Sequence, residues 1–226
     1  MRIKLSDHFT WRRLLRFTLP SIVMMGVASI YSVVDGLFVS NLVGDMALSA
    51  VNIMFPVTMI IGAFGFMLGT GGSAIVARTM GEGDRELAQR YFSLIVYSVI
   101  ALGGVLSVAC ALLAGPIARL AGASDLLMAD CVAYGRVMLG GSVIFMLQTT
   151  FQSFFVVAER PGMGLGFSVA AGLTNMGLDY VFIAVLDMGI AGAAWATVLA
   201  QLLSVALCLL YLARRYPQLL FRREDR

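Results

Sequence analysis

Two carboxylates lie where an otherwise apolar sequence gives them little access to water. Asp35 lies within 31-YSVVDGLFVS-40 and Asp179 within 175-NMGLDYVFI-183. A charged Asp at the centre of a membrane helix costs roughly 2.5–3.5 kcal/mol, so such a residue faces a cavity, a partner or a bundle interior. A carboxylate withdrawn from water can take up a proton near neutral pH, or exchange it for Na⁺. The chemistry open to this pair is reversible cation binding that couples an ion gradient to a conformational change.

Two further polar residues can complete a cation site. Asn175 and Asp179 are four residues apart, which places them on one face of a helix, and Thr197 adds a hydroxyl from the next apolar segment. Carboxylate, amide and hydroxyl oxygens are hard donors that can hold Na⁺, or they can form a network that shares a proton. The alternative is that Asn175 and Thr197 only join neighbouring helices while Asp179 lies in water at a helix end.

Other residues are weaker candidates. Tyr134, Gln148 and Gln152 are polar residues of one apolar segment. Gln148 and Gln152 share a face and can line a polar cavity, although hydrogen bonding between helices is the commoner role of such side chains. Met24 and Met25 are candidates for the wall of an adaptable apolar cavity, with core or lipid packing as the alternative.

The composition places these residues in a membrane protein. The chain has 226 residues, of which 60% are apolar and 13% are charged, about half the roughly 25% charged residues of a soluble domain. Its mean hydropathy is +0.90. A soluble globule of this length cannot bury so much apolar surface, and the same figures exclude disorder.

Six apolar stretches are long enough to span a bilayer. Because backbone polar groups inside a bilayer must be paired within the protein, we expect these stretches to be helices. The sequence therefore predicts an all-α, polytopic membrane bundle of six transmembrane helices. The predicted spans are roughly 17–39, 48–77, 91–115, 131–157, 163–186 and 190–213.

The basic residues predict the orientation of the bundle. All Lys and Arg residues except Arg119 and Arg136 lie in the N-terminus, in the 78–90 loop, at Arg160 or in the C-terminus. By the positive-inside rule, both termini are expected in the cytoplasm of a prokaryotic cell, beneath its plasma membrane. We therefore expect a cytoplasmic amphipathic N-terminus (1–16), a six-span lobe (17–213) and a basic cytoplasmic tail (214–226).

Several function classes find no support in the sequence. The single histidine, His8, and three scattered cysteines make no hydrolytic, metal or disulfide constellation, so we expect no enzyme and no bound cofactor. The basic residues form separate clusters, which argues against nucleic-acid binding. The segment 81-GEGD-84 lacks the Lys and Ser/Thr of a phosphate loop, and it predicts a tight turn in which Asp84 caps a short amphipathic helix.

The sequence resembles the multidrug and toxic compound extrusion (MATE) family of cation-coupled efflux transporters. The resemblance covers nearly the whole chain and is closest to the branch with acidic residues in its N-terminal lobe. The matching stretches are 35-DGLFVSNLVGDMALSAV-51, 77-ARTMGEGDRELA-88, 175-NMGLDYVFI-183 and 189-GIAGAAWATVLAQ-201.

This resemblance implies a fold, an activity and a site. Family members have two six-helix lobes and export amphipathic, often cationic drugs by alternating access, driven by inward H⁺ or Na⁺. A proline in span one, matched by Pro20, is where that helix is proposed to bend. The family's coupling residues match Asp35, Asn175, Asp179, Thr197 and Tyr134 in this sequence.

Six spans correspond to the N-terminal lobe alone, so the resemblance implies a second six-helix half or a homodimer as partner, within the lipid bilayer. The leading hypothesis is a cation-coupled multidrug antiporter of which this chain is a half-length lobe. One alternative is a lipid or lipid-linked oligosaccharide flippase of the related superfamily, which would need basic residues in its cavity. The other is a non-transporting membrane fragment or subunit.

Overall fold

The computed structural model describes residues 11–157 and 161–215, and this part of the chain is built from helices. The described residues do not include the first ten residues, Arg160 or most of the basic tail. The predictions of an amphipathic N-terminus and a basic tail therefore lie largely outside them. The elements are α1 (Trp11–Phe38), a π-helical turn (Val39–Val43), α2 (Asp45–Gly81), α3 (Arg85–Leu112), α4 (Ala114–Leu120), α5 (Met128–Gly140), α6 (Ser142–Val157), α7 (Pro161–Asp179), a second π-helical turn (Tyr180–Val185) and α8 (Gly189–Arg215).

The predicted membrane bundle is confirmed. Among the described residues, five helical segments are long and apolar enough to span a bilayer, and a sixth span results if the bent pair α5 and α6 is counted as one. The apolar stretches located these spans because about 20 apolar residues are needed to cross the hydrocarbon core. In the described structure, helices pack only against other helices.

The fourth span differs from the prediction of one continuous helix over 131–157. Its two parts, α5 and α6, meet at an angle of 50°. A Cβ on Gly141 would lie 2.7 Å from a methyl group of Val198, so a larger residue would have to displace this side chain of α8. The Val143 amide donates a hydrogen bond to the Ser107 hydroxyl of α3 over 2.9 Å. A side chain of another helix thus satisfies a backbone group at the break, as a bilayer interior requires.

Glycines bring α2 and α6 into contact. The Thr150 hydroxyl of α6 donates to the Gly65 carbonyl oxygen of α2 over 3.1 Å. A Cβ on Gly65 or Gly69 would lie 2.6 or 2.7 Å from the Cα atom of Met146 or Thr150, respectively. Small residues that let two backbones approach in this way are typical of membrane helix interfaces.

The turn between α2 and α3 follows the prediction in part. The Leu87 amide donates to Asp84 Oδ1 over 3.0 Å, which confirms Asp84 as an N-cap, and Gly83 has a φ of +89°. The capped helix, however, is not short: it is α3 itself, 28 residues long. The apolar segment continues the helix directly from the cap, so the amphipathic first turns and the span form one element.

We expect Asp84→Ala to lower the unfolding free energy of the chain by about 1 kcal/mol, because the Leu87 amide loses its acceptor. Hydrogen exchange of the first turn of α3 should accelerate in the same variant. Asp84→Ser keeps a side-chain acceptor at the cap and is the matched control. Equal exchange in the alanine and serine variants would contradict the role of the cap.

Prolines occupy two kinds of position. Pro20 and Pro56 lie inside α1 and α2, which continue through them. Pro116 lies in the first turn of α4, where the missing amide proton would have had no helical acceptor. The proposed bend at Pro20 stays a prediction.

The two predicted acids occur in a repeated structural unit. In each unit a long helix ends in a π-helical turn and a second long helix follows: α1 leads to α2, and α7 leads to α8. The segments 35-DGLFVSNLVGDM-46 and 179-DYVFIAVLDM-188 both begin with Asp, carry Phe three residues later and end in Asp-Met. The two π-helical turns contact each other, so the repeated unit brings both acids to the same level of the bundle.

Candidate functional site

Asp35 and Asp179 face each other across the contact between α1 and α7. Asp35 lies one turn before the end of α1, and Asp179 is the last residue of α7. Their carboxyl groups are within hydrogen-bonding distance of each other. Asp179 has 0% of its surface exposed, whereas Asp35 is half-buried. The suggestion that Asp179 lies in water at a helix end is therefore wrong: it is buried, and the π-helical turn Tyr180–Val185 continues the helix after it.

Three oxygens of this pair have no donor. Within the described part of the chain, no group donates a hydrogen bond to Asp35 Oδ1 or to either oxygen of Asp179. Two ionised carboxylates are both acceptors, so their approach leaves buried lone pairs unsatisfied and brings like charges together. A proton held by one carboxyl, or a cation between the two, removes both penalties. These carboxylate oxygens thus fit the binding of H⁺ or Na⁺.

Asn175 and Thr197 join α7 to α8 beside the acidic pair. The Asn175 side-chain amide donates to Thr197 Oγ1 over 3.3 Å, and the Thr197 hydroxyl donates to the Ala193 carbonyl oxygen over 3.1 Å. This is the interhelical hydrogen bond given above as the alternative role. Asn175 is buried at this contact. Because Asp179 lies one turn after Asn175 on the same face of α7, the hydrogen bond also sets the orientation of that face.

Tyr134 lies close to both acids. It belongs to α5, has 4% of its surface exposed and interacts electrostatically with Asp35 and Asp179. The structure therefore places Tyr134 near Asp35 and Asp179, and it joins Asn175 to Thr197 one helical turn from Asp179.

Tyr31 is a neighbour of the site that the sequence analysis missed. It lies on α1 one turn before Asp35 and interacts electrostatically with it. Its ring packs against Gly172 of α7, so closely that a Cβ on this glycine would lie 2.8 Å from the ring edge. Its spacing of four residues from Asp35 was the available signal, because residues at this spacing share a helix face.

The candidate cavity residues lie apart from this cluster. The Gln152 side-chain amide donates to the Ser168 hydroxyl over 3.2 Å, so it joins α6 to α7. Gln148 is buried on the same helix, whereas Met24 is half-buried and Met25 is exposed on α1. A cavity role for these four residues stays a prediction.

Comparison with known proteins gives consistent matches. The MatE family model matches residues 20–181. The multidrug export protein MepA of Staphylococcus haemolyticus is 24% identical over 223 residues, which cover 96% of this chain and 48% of MepA.

Solved structures match over a similar range. A MOP superfamily transporter from Pyrococcus furiosus has a TM-score of 0.81 and 27% identity, covering 90% of this chain and 44% of its own. An outward-facing multidrug resistance MATE family transporter of the MOP superfamily also has a TM-score of 0.81 and 27% identity, covering 90% and 45%. The chain thus spans about half the length of the relatives it matches.

Proposed function

This chain belongs to the MatE family of transporters, and from that premise we propose that it forms one six-helix lobe of a cation-coupled multidrug antiporter. In this proposal, H⁺ or Na⁺ binds between Asp35 and Asp179 and drives the export of amphipathic, often cationic compounds. The chain is a multi-pass membrane protein. Family membership supports transport, and the geometry of the acidic pair supports the cation coupling.

The observation that carries the proposal is the set of three buried carboxylate oxygens without a donor. A structural pair would be joined by a donor such as an arginine or a backbone amide. An acidic pair that lacks one is satisfied by an exchangeable cation.

Cation binding can act on α1 through its main contact. Within the described structure, α1 packs chiefly against α7, and Asp35 and Asp179 face each other across this contact. A bound cation draws the two carboxylates together, and its release restores their repulsion. Because α1 has few other contacts, we propose that it moves when the cation leaves. Pro20 is the proposed hinge, since a proline removes a helix hydrogen bond.

The proposed substrates follow from charge and from a relative. MepA is named a multidrug export protein, and an acidic pair attracts cationic compounds. Coupling can then arise in two ways. Either the cation and the drug bind the same conformation of α1 and exclude each other, or each binds and stabilises a different conformation. Either gives antiport, because binding of one ligand disfavours the state that holds the other.

We propose that both termini face the cytoplasm. An alternating path through six spans places Arg12, Arg78, Arg85, Arg90 and Arg214 on one side of the membrane. Arg119 and Arg136 then lie on the other side. The larger number of basic residues is expected on the cytoplasmic side.

A second six-helix unit is the proposed partner. The relatives are about twice as long as the matched segment, and a central drug pathway needs a second wall. A second half or a second copy of this chain can supply it.

Dye efflux from vesicles tests the function. We would reconstitute the chain alone, and together with a six-helix C-terminal half, and load the vesicles with a cationic dye. An imposed inward H⁺ or Na⁺ gradient is expected to accelerate efflux, and an ionophore that collapses the gradient is the control. Efflux at the same rate with and without a gradient would contradict the proposed cation coupling. No efflux from either preparation would contradict the proposed transport.

A further inference from the structure

A cleft opens between the beginning of α7 and the end of α8. Its volume is about 330 Å³, within the range of about 300–1,000 Å³ typical of ligand pockets. At about 1.5 Å per residue along α7, Phe167 in the cleft is about 18 Å from Asp179, so the cleft is separate from the acidic pair. The residues lining the cleft are Met163, Phe167, Leu207, Leu210, Tyr211 and Arg214.

The lining residues form two stripes, of which the one on α8 runs from polar to apolar. On α8, Leu207, Leu210 and Arg214 follow each other at helical spacing and lie on one face, while Met163 and Phe167 form the facing stripe of α7. The apolar part of α8 ends at Leu212. Arg214 therefore lies at the level of the membrane surface, and the cleft continues into the hydrocarbon region.

Three aromatic rings support the wall of the cleft. The ring of Phe155 lies 5.5 Å from that of Phe167 and 5.8 Å from that of Tyr211, and the rings of Phe167 and Tyr211 are 6.3 Å apart. Aromatic rings at such distances and tilted angles hold each other in place. The wall is thus formed before any ligand binds.

Arg214 gives the mouth of the cleft a positive charge. The ion pairs among the described residues involve Arg78, Arg90 and Arg119. Arg214 is exposed and takes part in none of these pairs. An arginine beside an apolar cleft at the membrane surface is suited to a phosphate group.

We propose that this cleft binds an anionic phospholipid of the adjoining leaflet, with its phosphate at Arg214 and one acyl chain along Leu207 and Phe167. A soluble anion would use the charge but not the apolar length of the cleft, and Arg214 would repel a cationic drug. A helix of a second six-helix half is a less suitable occupant, because it would bury the Arg214 guanidinium and would need an acidic side chain to pair with it. Basic pockets between membrane helices bind lipid head groups for the same physical reason.

Lipid titration of the full chain tests this site. Purified chain in neutral detergent is titrated with phosphatidylglycerol, and native mass spectrometry measures the dissociation constant of the first bound lipid. Arg214→Gln is expected to weaken this binding about fivefold, the effect of one basic side chain at a membrane surface. Arg85→Gln, an exposed arginine on the same side, is the matched control and should leave the constant unchanged. Phosphatidylcholine should bind more weakly than phosphatidylglycerol to the unmodified chain.

A second variant tests the cleft without changing the charge. Leu210 is half-exposed at the rim, so Leu210→Trp can fill the cleft while the fold is retained, and it should also weaken phosphatidylglycerol binding. Equal losses in the Arg85 and Arg214 variants, or equal binding of both lipids, would overturn the proposal. Displacement of the lipid by a six-helix C-terminal half would also overturn it. The inference does not rest on the acidic pair, since Asp35→Asn should bind the lipid normally.

Discussion

The Asp35→Asn variant is expected to reach the membrane and to lose cation-driven dye efflux. Its side-chain amide can donate to the buried oxygens of Asp179, which lack a donor in the described structure. The variant thus holds α1 against α7 without a cation. The acceleration of efflux by a gradient should disappear, a loss of about 5–150-fold if the coupling free energy has the usual value of about 1–3 kcal/mol. Efflux from vesicles with and without an imposed gradient measures it.

Asp45→Asn is the matched control. Asp45 is exposed in the first turn of α2, ten residues after Asp35, so its replacement removes the same charge without touching the pair. The control should retain gradient-driven efflux, and both variants should be recovered in equal amounts from the membrane. Undiminished gradient-driven efflux in Asp35→Asn would remove the coupling role of this residue.

Thermal unfolding separates cation binding from transport. An ion that binds only the folded chain raises the unfolding temperature as its concentration rises. The unmodified chain should therefore respond to Na⁺ or to pH more strongly than Asp35→Asn, in which the pair has lost one of its two carboxylates. A variant that responds as strongly as the unmodified chain but does not transport would place the defect in the movement of α1.

The sequence predicted the spans because their signal is local. About 20 consecutive apolar residues identify a membrane helix whatever lies around it. The break in the fourth span has a weaker local signal, the run Gly140-Gly141-Ser142, since helices kink at Gly/Ser pairs. Its contacts with Ser107 and Val198, which lie far from Gly141 in the sequence, could not be predicted. Nor did the sequence place the continuous helix after Asp84, since a cap marks where a helix begins and not where it ends.

The site was predictable residue by residue, but its assembly was not. The cost of burying a carboxylate singled out Asp35 and Asp179, and helical spacing placed Asn175 with Asp179. That α1 lies beside α7 depends on packing across more than a hundred residues of sequence. The residue types suggested that the two acids could share a cation, but only the family resemblance implied that they meet. The repeated Asp-x-x-Phe and Asp-Met pattern was a second, unused signal, because repeated segments tend to fold alike.

Gly65→Ala is expected to destabilise the whole bundle. The added Cβ would lie 2.6 Å from Met146 Cα and 2.8 Å from Thr149 Oγ1, closer than such atoms can approach. Since the first of these neighbours is backbone, α2 and α6 must move apart, which weakens the hydrogen bond from Thr150 to the Gly65 carbonyl oxygen. Overpacking of this kind costs about 1–3 kcal/mol. The midpoint of thermal unfolding in detergent should fall by roughly 2–4 °C for each kcal/mol.

Gly71→Ala makes the same chemical change on the same helix and should have the opposite sign. Gly71 is exposed, and a Cβ there would have no neighbour within 4 Å. Because alanine is favoured over glycine in a helix by about 1 kcal/mol, this variant should be as stable as the unmodified chain or more so. If both variants lowered the unfolding temperature equally, the glycines would act through the flexibility of α2. Opposite signs would show that the contact with α6 is what requires a glycine at Gly65.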